Sequence, residues 1–410
     1  MKKTNSVFTP GKLALLLDAS AGSSGKGKAA AYVCENADNY QFLCNTFFPQ
    51  ASHTIIDDSG EYVYKQLNSI AHKHEKFEKI YIGHGSVISL KALLDEIKMT
   101  SLPVEKLGIS PVTTILQDID KQFEMGLMDM EGIKVDAKHG GTIKFGSTCS
   151  GVGAARARKA LRKPNILLAR DIEELKPYLC DVPGEIMERL DRGQSGLLEI
   201  AQGMQLSYGL PEFYPYCTSR NCTPAAALDD MMIPTKYAGN VILNLRTYPI
   251  RIHSHKYLAK EDGRHLTWEE VQAGEIPYDK IDSNSGPGWK DQEELTWKEL
   301  TDNSGSPEPI LECTTLTKLP RRPFTFSKEN LEMAIKHSDT GNKIFCFLNF
   351  INYVDWDMNK IKKDEKYTIT PKINSFIDEN IMPVITKFNN VSLEWLGTGA
   401  HTDETIHYGS

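Results

Sequence analysis

Short apolar runs alternate along the chain with longer amphipathic stretches. The runs Leu13–Leu17, Phe42–Phe48, Lys79–Ile82, Gly196–Ile200, Val241–Leu245, Ile344–Ile351 and Val391–Leu396 are short for helices and too apolar to own a solvated face, which predicts buried strands. Between them, Lys26–Glu35, Leu90–Met99, Val112–Met125, Asn330–His337 and Ile373–Phe388 read as helices. Strands alternating with helices predict an α/β fold with a large, mostly parallel central sheet flanked by helices. Residues 255–310 break the alternation: Asp, Glu, Gly, Ser and Pro dominate, with Trp268, Trp289 and Trp297 spread among them. This stretch predicts a partly ordered insertion and not a domain of its own.

Composition narrows the class. A chain of 410 residues that is 40% hydrophobic and 25% charged can bury a sizeable core, which excludes wholesale disorder. The balance of 47 basic against 54 acidic side chains leaves a net charge of -7. An acidic protein is a poor candidate for gripping a nucleic acid polymer, although a nucleotide needs only a local pocket. No apolar run approaches the ~18 residues of a membrane span. The basic start, Met1-Lys-Lys-Thr-Asn, leads only to Leu13–Leu17 and then Asp18, which argues against a secretory signal. The 8 cysteines are scattered without a C-x-x-C pair and read as reduced thiols of a cytoplasmic protein. The H-x-H pairs His72/His74 and His253/His255 lack partners at metal-ligand spacing and read as surface histidines.

The segment Asp18-Ala-Ser-Ala-Gly-Ser-Ser-Gly-Lys-Gly-Lys28 stands between the first strand and the first helix. Glycines there let backbone N–H groups converge on a phosphate at a helix N-terminus, and lysines add charge. It is not a Walker A loop: only Ser23 and Ser24 separate Gly22 from Gly25, and Gly27 follows Lys26.

The segment resembles the Gly-Asp-Glu-Gly-Lys-Gly-Lys loop of adenylosuccinate synthetases. Further matches follow in the family's order. They are Ala51-Ser-His-Thr54, Ile82-Gly-His-Gly85, Gly146-Ser-Thr148 with Gly151-Val-Gly153, and Glu199-Ile-Ala-Gln-Gly203. Tyr214-Pro-Tyr-Cys-Thr-Ser219, Thr314-Thr315 with Arg321-Arg322, and Gly397-Thr-Gly399 with Glu404-Thr405 complete the set. Matches dispersed over this length must converge on one cleft, so 1–410 is expected to be a single catalytic domain.

The resemblance implies a two-step ligation: a nucleoside triphosphate phosphorylates the purine O6, and the L-aspartate amine then displaces phosphate from C6. By carry-over, Ser23, Ser24, Gly25, Lys26, Gly27, Lys28, His53, Thr54, Asn349, Asn352, Gly397 and Gly399 would hold the triphosphate. Ser23, Lys26 and His53 would be catalytic, with His53 as acid or hydrogen-bond donor at O6. Ser23, Gln50, Ser147, Thr148, Arg162, Gln202, Cys217, Thr218 and Arg251 would surround the purine nucleotide. In the family the arginine placed like Arg162 arrives from a neighbouring subunit, which implies a homodimer; without the resemblance, Arg156–Lys163 reads equally as a solvated helix face. Thr314, Thr315, Arg321 and Arg322 supply hydroxyls and guanidinium forks suited to L-aspartate. Mg2+ would bridge phosphate oxygens, with Ser23 and Ser52 at the family's ligand positions.

The departures from the family are informative. Its loop aspartate, the N1 base and a magnesium ligand, is Ser23 here. A neutral hydroxyl is a poor general base, but it makes room for a purine bulkier beside N1, and it can accept from a 2-amino group. This exchange is similar to the phage branch of the family, the 2-aminoadenylosuccinate synthetases, which act on dGMP. A conventional enzyme acting on IMP with a displaced base, and an inactive nucleotide-binding homologue, are the alternatives. The Lys-x-x-Asp that reads guanine in a GTP donor is absent; Asn349 and Asn352 stand on that strand instead, favouring ATP or dATP. Asn349 could equally be satisfying strand-edge backbone.

Overall fold

A computed structural model describes residues 3–134, 147–251, 285–313 and 320–408. His253, His255, Trp268, Thr314, Thr315 and most of the predicted insertion lie outside these residues. The strands in chain order are β1 (Leu13–Asp18), β2 (Phe42–Asn45), β3 (His53–Asp57), β4 (Gly60–Tyr64) and β5 (Lys79–Ile82). Then come β6 (Val87–Ile88), β7 (Leu107–Ile109), β8 (Thr114–Ile115), β9 (Gly196–Glu199) and β10 (Ala238–Arg246). The last are β11 (Ile250–Arg251), β12 (Arg322–Pro323), β13 (Ile344–Asn349), β14 (Val391–Gly397) and β15 (Thr405–His407).

Nine of these form one sheet in the order β15-β14-β13-β10-β1-β9-β2-β5-β7. Every pairing in it is parallel except β14 with β15. The central strand shows why its sequence is uninterrupted leucine and alanine. Leu13, Leu15 and Leu17 pack on one face with Ile377 and Ile381, while Ala14 and Leu16 pack on the other with Ala29, Ala30 and Val33. A strand covered on both faces has no position left for a polar residue until its end, where Asp18 stands.

The predicted strands and the helices Lys26–Glu35, Leu90–Thr100 and Lys328–Ser338 match within a few residues at each end. Two expectations are corrected. Val112–Met125 is helical only over Asp118–Glu124, because Thr114 and Ile115 pair in parallel with Val87 and Ile88. Ile373–Phe388 divides into Pro371–Asn380 and Met382–Ile385, with Pro383, which has no N–H to donate, in the first turn of the second piece. The described part of the insertion contributes no strand to the sheet. It packs back through Trp289, whose indole donates to Asn330 at 2.7 Å, and through Glu294, which pairs with Arg322 at 2.5 Å.

Because the strands are parallel, their carboxyl ends share one edge. Asp18, Asn45, Glu199, Arg246 and Asn349 all fall there, together with the loops that follow them. In open α/β sheets this edge is where ligands bind.

Candidate active site

The glycine loop leaves β1 at Asp18 and turns through Gly22, Ser23 and Gly25, at φ 94°, 55° and 77°, before the helix α1 (Lys26–Glu35) begins. A side chain at Gly25 would be strained by this backbone and would press on Asn349, 3.1 Å away. Gly203 is needed for another reason: a Cβ there would lie 2.0 Å from the Ser20 carbonyl oxygen. The loop and the Gln202–Gly203 segment are thus in backbone contact.

Struts from the strand ends and from the Gln202 turn hold the loop from below. Asp18 Oδ1 accepts from the Ser20 amide at 2.8 Å and the Ser24 hydroxyl at 3.0 Å. The Ser24 carbonyl accepts from Asn244 at 2.7 Å and Asn349 at 3.0 Å. Lys26 Nζ donates to the Gln202 carbonyl at 2.5 Å. Burial pushes the Lys26 ammonium down and the Asp18 carboxyl up, each opposed by the charge of the other.

A charged wall holds the loop from the side. Arg246 Nη1 donates to the Ser23 carbonyl at 2.8 Å, and its guanidinium is paired bidentately with Glu312, to which Tyr353 also donates at 3.0 Å. Burial raises the Glu312 carboxyl, but Arg246 outweighs that and holds it below the usual carboxylate range. Arg321 Nη1 donates to Ser23 Oγ at 2.6 Å. Ser23 is itself exposed to the cleft.

His53 opens β3 with its ring stacked on Phe47 at 4.4 Å and 14°. Burial, reinforced by the Lys26 charge, drives its pKa down to about 3, so the ring is neutral at physiological pH. Of the two roles expected for His53, a neutral ring in the free protein suits the hydrogen-bond donor.

Among the described residues, several buried polar atoms near this edge have no hydrogen-bond partner. They include Asp18 Oδ2, His53 Nε2, Gln202 Oε1, Ser219 Oγ, Arg220 Nε, Arg251 Nη1 and Asn352 Oδ1. Such groups are costly unless water or a ligand satisfies them. The segments that carry them interlock. Arg220 donates to the Ala201 carbonyl at 3.2 Å, Arg251 donates to the Tyr216 carbonyl at 3.2 Å, and Gln50 reaches the Thr218 hydroxyl at 3.4 Å. Burial, with Arg322 adding to it, lowers the Arg251 pKa to about 10.

The remaining expected residues divide. Ser147 accepts from the Cys149 amide at 3.1 Å in the turn before the helix Val152–Ala160, Thr148 beside it is exposed, and Cys217 is half-buried next to Thr218. Arg162 is exposed and makes no side-chain hydrogen bond or ion pair among the described residues. Thr54 is exposed on β3, and Gly27 is buried in the first turn of α1. Asn352 donates to Asn359 at 3.1 Å and keeps its buried carbonyl oxygen open.

Three of the expected positions are engaged by other parts of the protein. The Asn349 amide is taken up by Ser24 and Asn244, so it braces the loop. Lys28 donates to the carbonyls of Gly399 and Glu404 at 2.7 and 2.6 Å, tying α1 to the segment that carries Gly397. Arg322 is held by Glu294, Ser285 and Gly286, so of the arginine pair only Arg321 faces the loop.

Asp18, Arg220, Asn244, Arg246 and Glu312 were not expected at the site. Asn244 and Arg246 carried a signal: polar side chains inside a strand that is buried at every position need partners.

The oxygen donors at Ser23 and the Ser52 carbonyl suit a hard cation that completes its shell with phosphate and water. With Arg321 on Ser23 Oγ, a cation on the same oxygen would be repelled. A separate group of potential ligands among the described residues, Asp58, His401 and Asp403, lies at the surface.

Residues 15–169 match the family model described as adenylosuccinate synthetase. The N6-succino-2-amino-2'-deoxyadenylate synthase of Vibrio phage phiVC8 is 33% identical over 352 residues, spanning 83% of this chain and 86% of the phage protein. The chain belongs to the adenylosuccinate synthetase family. Another member, the N6-succino-2-amino-2'-deoxyadenylate synthase of Acinetobacter phage SH-Ab 15497, is 30% identical over 380 residues, covering 83% of this chain and 84% of its own. The adenylosuccinate synthetase of Methanococcus aeolicus matches over a shorter span, 28% identical over 234 residues, or 56% of this chain and 65% of its own. Among solved structures, the cyanophage S-2L succinoaminodeoxyadenylate synthetase bound to dGMP and dATP superposes with a TM-score of 0.70 at 28% identity, over 97% of this chain and 96% of that one. Adenylosuccinate synthetase from Plasmodium falciparum shares the fold, with a TM-score of 0.66 at 17% identity over 97% of this chain and 99% of its own.

Proposed function

We propose that this protein is a ligase joining L-aspartate to C6 of dGMP, consuming ATP or dATP and giving N6-succino-2-amino-2'-deoxyadenylate, a precursor of 2-aminoadenine DNA. The observation that carries the proposal is Ser23, an exposed hydroxyl at the position of the family's loop aspartate, within a loop that otherwise keeps the family's glycines and lysines. The family relatives from phiVC8 and SH-Ab 15497 that bear the corresponding name support it.

In the first step O6 attacks the γ-phosphorus and the nucleoside diphosphate departs, while the N1 proton passes to a phosphate oxygen. Lys26 leaves the Gln202 carbonyl for the transferring phosphoryl oxygens, and the amides at the start of α1 face the same charge. His53, neutral and with Nε2 open, donates to O6 and fixes its direction of attack. In the second step the aspartate amine adds to C6 and phosphate leaves with O6. Arg321 is the guanidinium placed for an aspartate carboxylate.

Thr148 and Thr218 hold the 5'-phosphate of dGMP. Arg162, exposed and unpaired, completes that grip in the cleft of a second copy, which makes the working form a homodimer. Gln50, Gln202 and Arg251 address the base and sugar, and the open Asn352 Oδ1 suits the amino group of an adenine donor. The backbone oxygen of Ser52 would hold Mg2+, which would supply neutralisation of charge on the triphosphate. The reaction takes place in the cytoplasm, on free nucleotides and L-aspartate.

A conventional enzyme acting on IMP would need a displaced base, and the open Oδ2 of Asp18 is the observation in its favour. Product analysis distinguishes the two. Protein given dGMP, aspartate and dATP together should form the succinyl adduct by mass spectrometry, and omission of any one should abolish it. No adduct from dGMP, with adduct formed from IMP, would overturn the proposal.

A further inference from the structure

Arg321 is held in place by its own backbone. Its amide donates to the Glu312 carbonyl at 2.9 Å, its carbonyl accepts from the Trp297 indole at 2.7 Å, and the neighbouring Cys313 and Pro320 form a bridge across the stem of the loop. From this clamped position the guanidinium meets two partners with two different nitrogens. Nε donates to the Cys313 carbonyl at 3.2 Å, and Nη1 donates to Ser23 Oγ at 2.6 Å. Nη2 makes no hydrogen bond among the described residues. Meanwhile Arg246 fixes the carbonyl of Ser23 at 2.8 Å, so both oxygens of this residue are gripped by arginines.

A serine hydroxyl at an exposed turn is ordinarily a free rotor. One that accepts from a fixed guanidinium has one lone pair occupied and its rotamer set, and its second lone pair then points in one direction only. We propose that Arg321 is a specificity-positioning residue, orienting Ser23 Oγ to accept from the 2-amino group of the purine, while its free Nη2 remains for the second substrate. The inference rests on the reading of Ser23 as the residue facing that amino group. It adds that discrimination between 2-aminopurine and 2-unsubstituted nucleotides resides in the pair and not in the serine alone.

The test is a double-mutant cycle on equilibrium binding, with neither aspartate nor triphosphate present. Dissociation constants for dGMP and dIMP are measured by calorimetry for the wild type, Ser23→Ala, Arg321→Leu and the double variant. Each single substitution is expected to reduce the dGMP preference about tenfold, and the double variant to lose no more than Ser23→Ala alone. An unchanged preference in Arg321→Leu, or additive losses in the double variant, would overturn the inference. If Arg321→Leu does not fold, Arg321→Lys carries the same test: an ammonium lacks the fixed fork, so the preference should still drop, and a wild-type preference refutes the role. A wild type that binds dIMP as tightly as dGMP defeats the substrate assignment itself, a pattern distinct from a discriminating wild type with an equally discriminating variant.

Discussion

The glycine loop is held on two sides by different chemistry. Beneath it, the Asn244 and Asn349 amides offer neutral hydrogen bonds from the ends of strands. Beside it, Arg246, Glu312 and Arg321 form a charged wall reaching Ser23 through both of its oxygens. Lys26 stands at the junction, a buried ammonium with a carbonyl partner where a phosphate is to go. The contrast assigns tasks. Neutral contacts set the backbone shape that any triphosphate needs, whereas the charged wall acts on the one residue that departs from the family pattern.

The largest expected effect falls at the junction. Lys26→Ala should reduce dGMP-dependent phosphate release by on the order of 10³-fold or more, since it removes charge stabilisation made in the transition state. Its thermal midpoint should change little, because a desolvated ammonium contributes little to the fold; a large loss of stability would make Lys26 a structural residue. Next is the wall: Arg246→Met leaves the half-buried Glu312 carboxylate with Tyr353 as its remaining partner and should cost up to about 3 kcal/mol in urea denaturation. The matching change beneath the loop, Asn349→Ala, removes neutral hydrogen bonds and should cost only about 1–2 kcal/mol. Equal costs would erase the distinction between the two sides.

A pH dependence bears on the histidine at the same edge. The folded His53 has a pKa of about 3, below its unfolded value, so the unfolded chain takes up the proton first as the solution is acidified. Its contribution to stability is complete above about pH 6.5 and is lost as pH falls toward 3, at no more than about 1.4 kcal/mol per pH unit. His53→Gln should flatten this part of the curve, as read by denaturation from pH 7 to 5.

Much of this site could be read before the fold was known, for a local reason. Gly22 to Lys28 dictate their own turn and the helix that follows, and the apolar run before them dictates a strand. Asn349 and Arg322 were less legible because their partners come from distant chain segments: Asn349 meets Ser24 and Asn244 only once β13 has paired with β10, and Arg322 meets Glu294 only when the insertion folds back. Ser23 was conspicuous as a departure, but nothing near it in sequence announces Arg321. His53 was found by its motif, while its neutrality is a property of burial under Phe47 and beside Lys26.

The central claim is that Ser23 turns this family's loop toward a 2-aminopurine. The most direct measurement is kcat/KM for phosphate release with dGMP and with IMP, at saturating aspartate and dATP. The proposed function predicts a clear preference for dGMP, with IMP a poor substitute. IMP supporting turnover as well as or better than dGMP would contradict it.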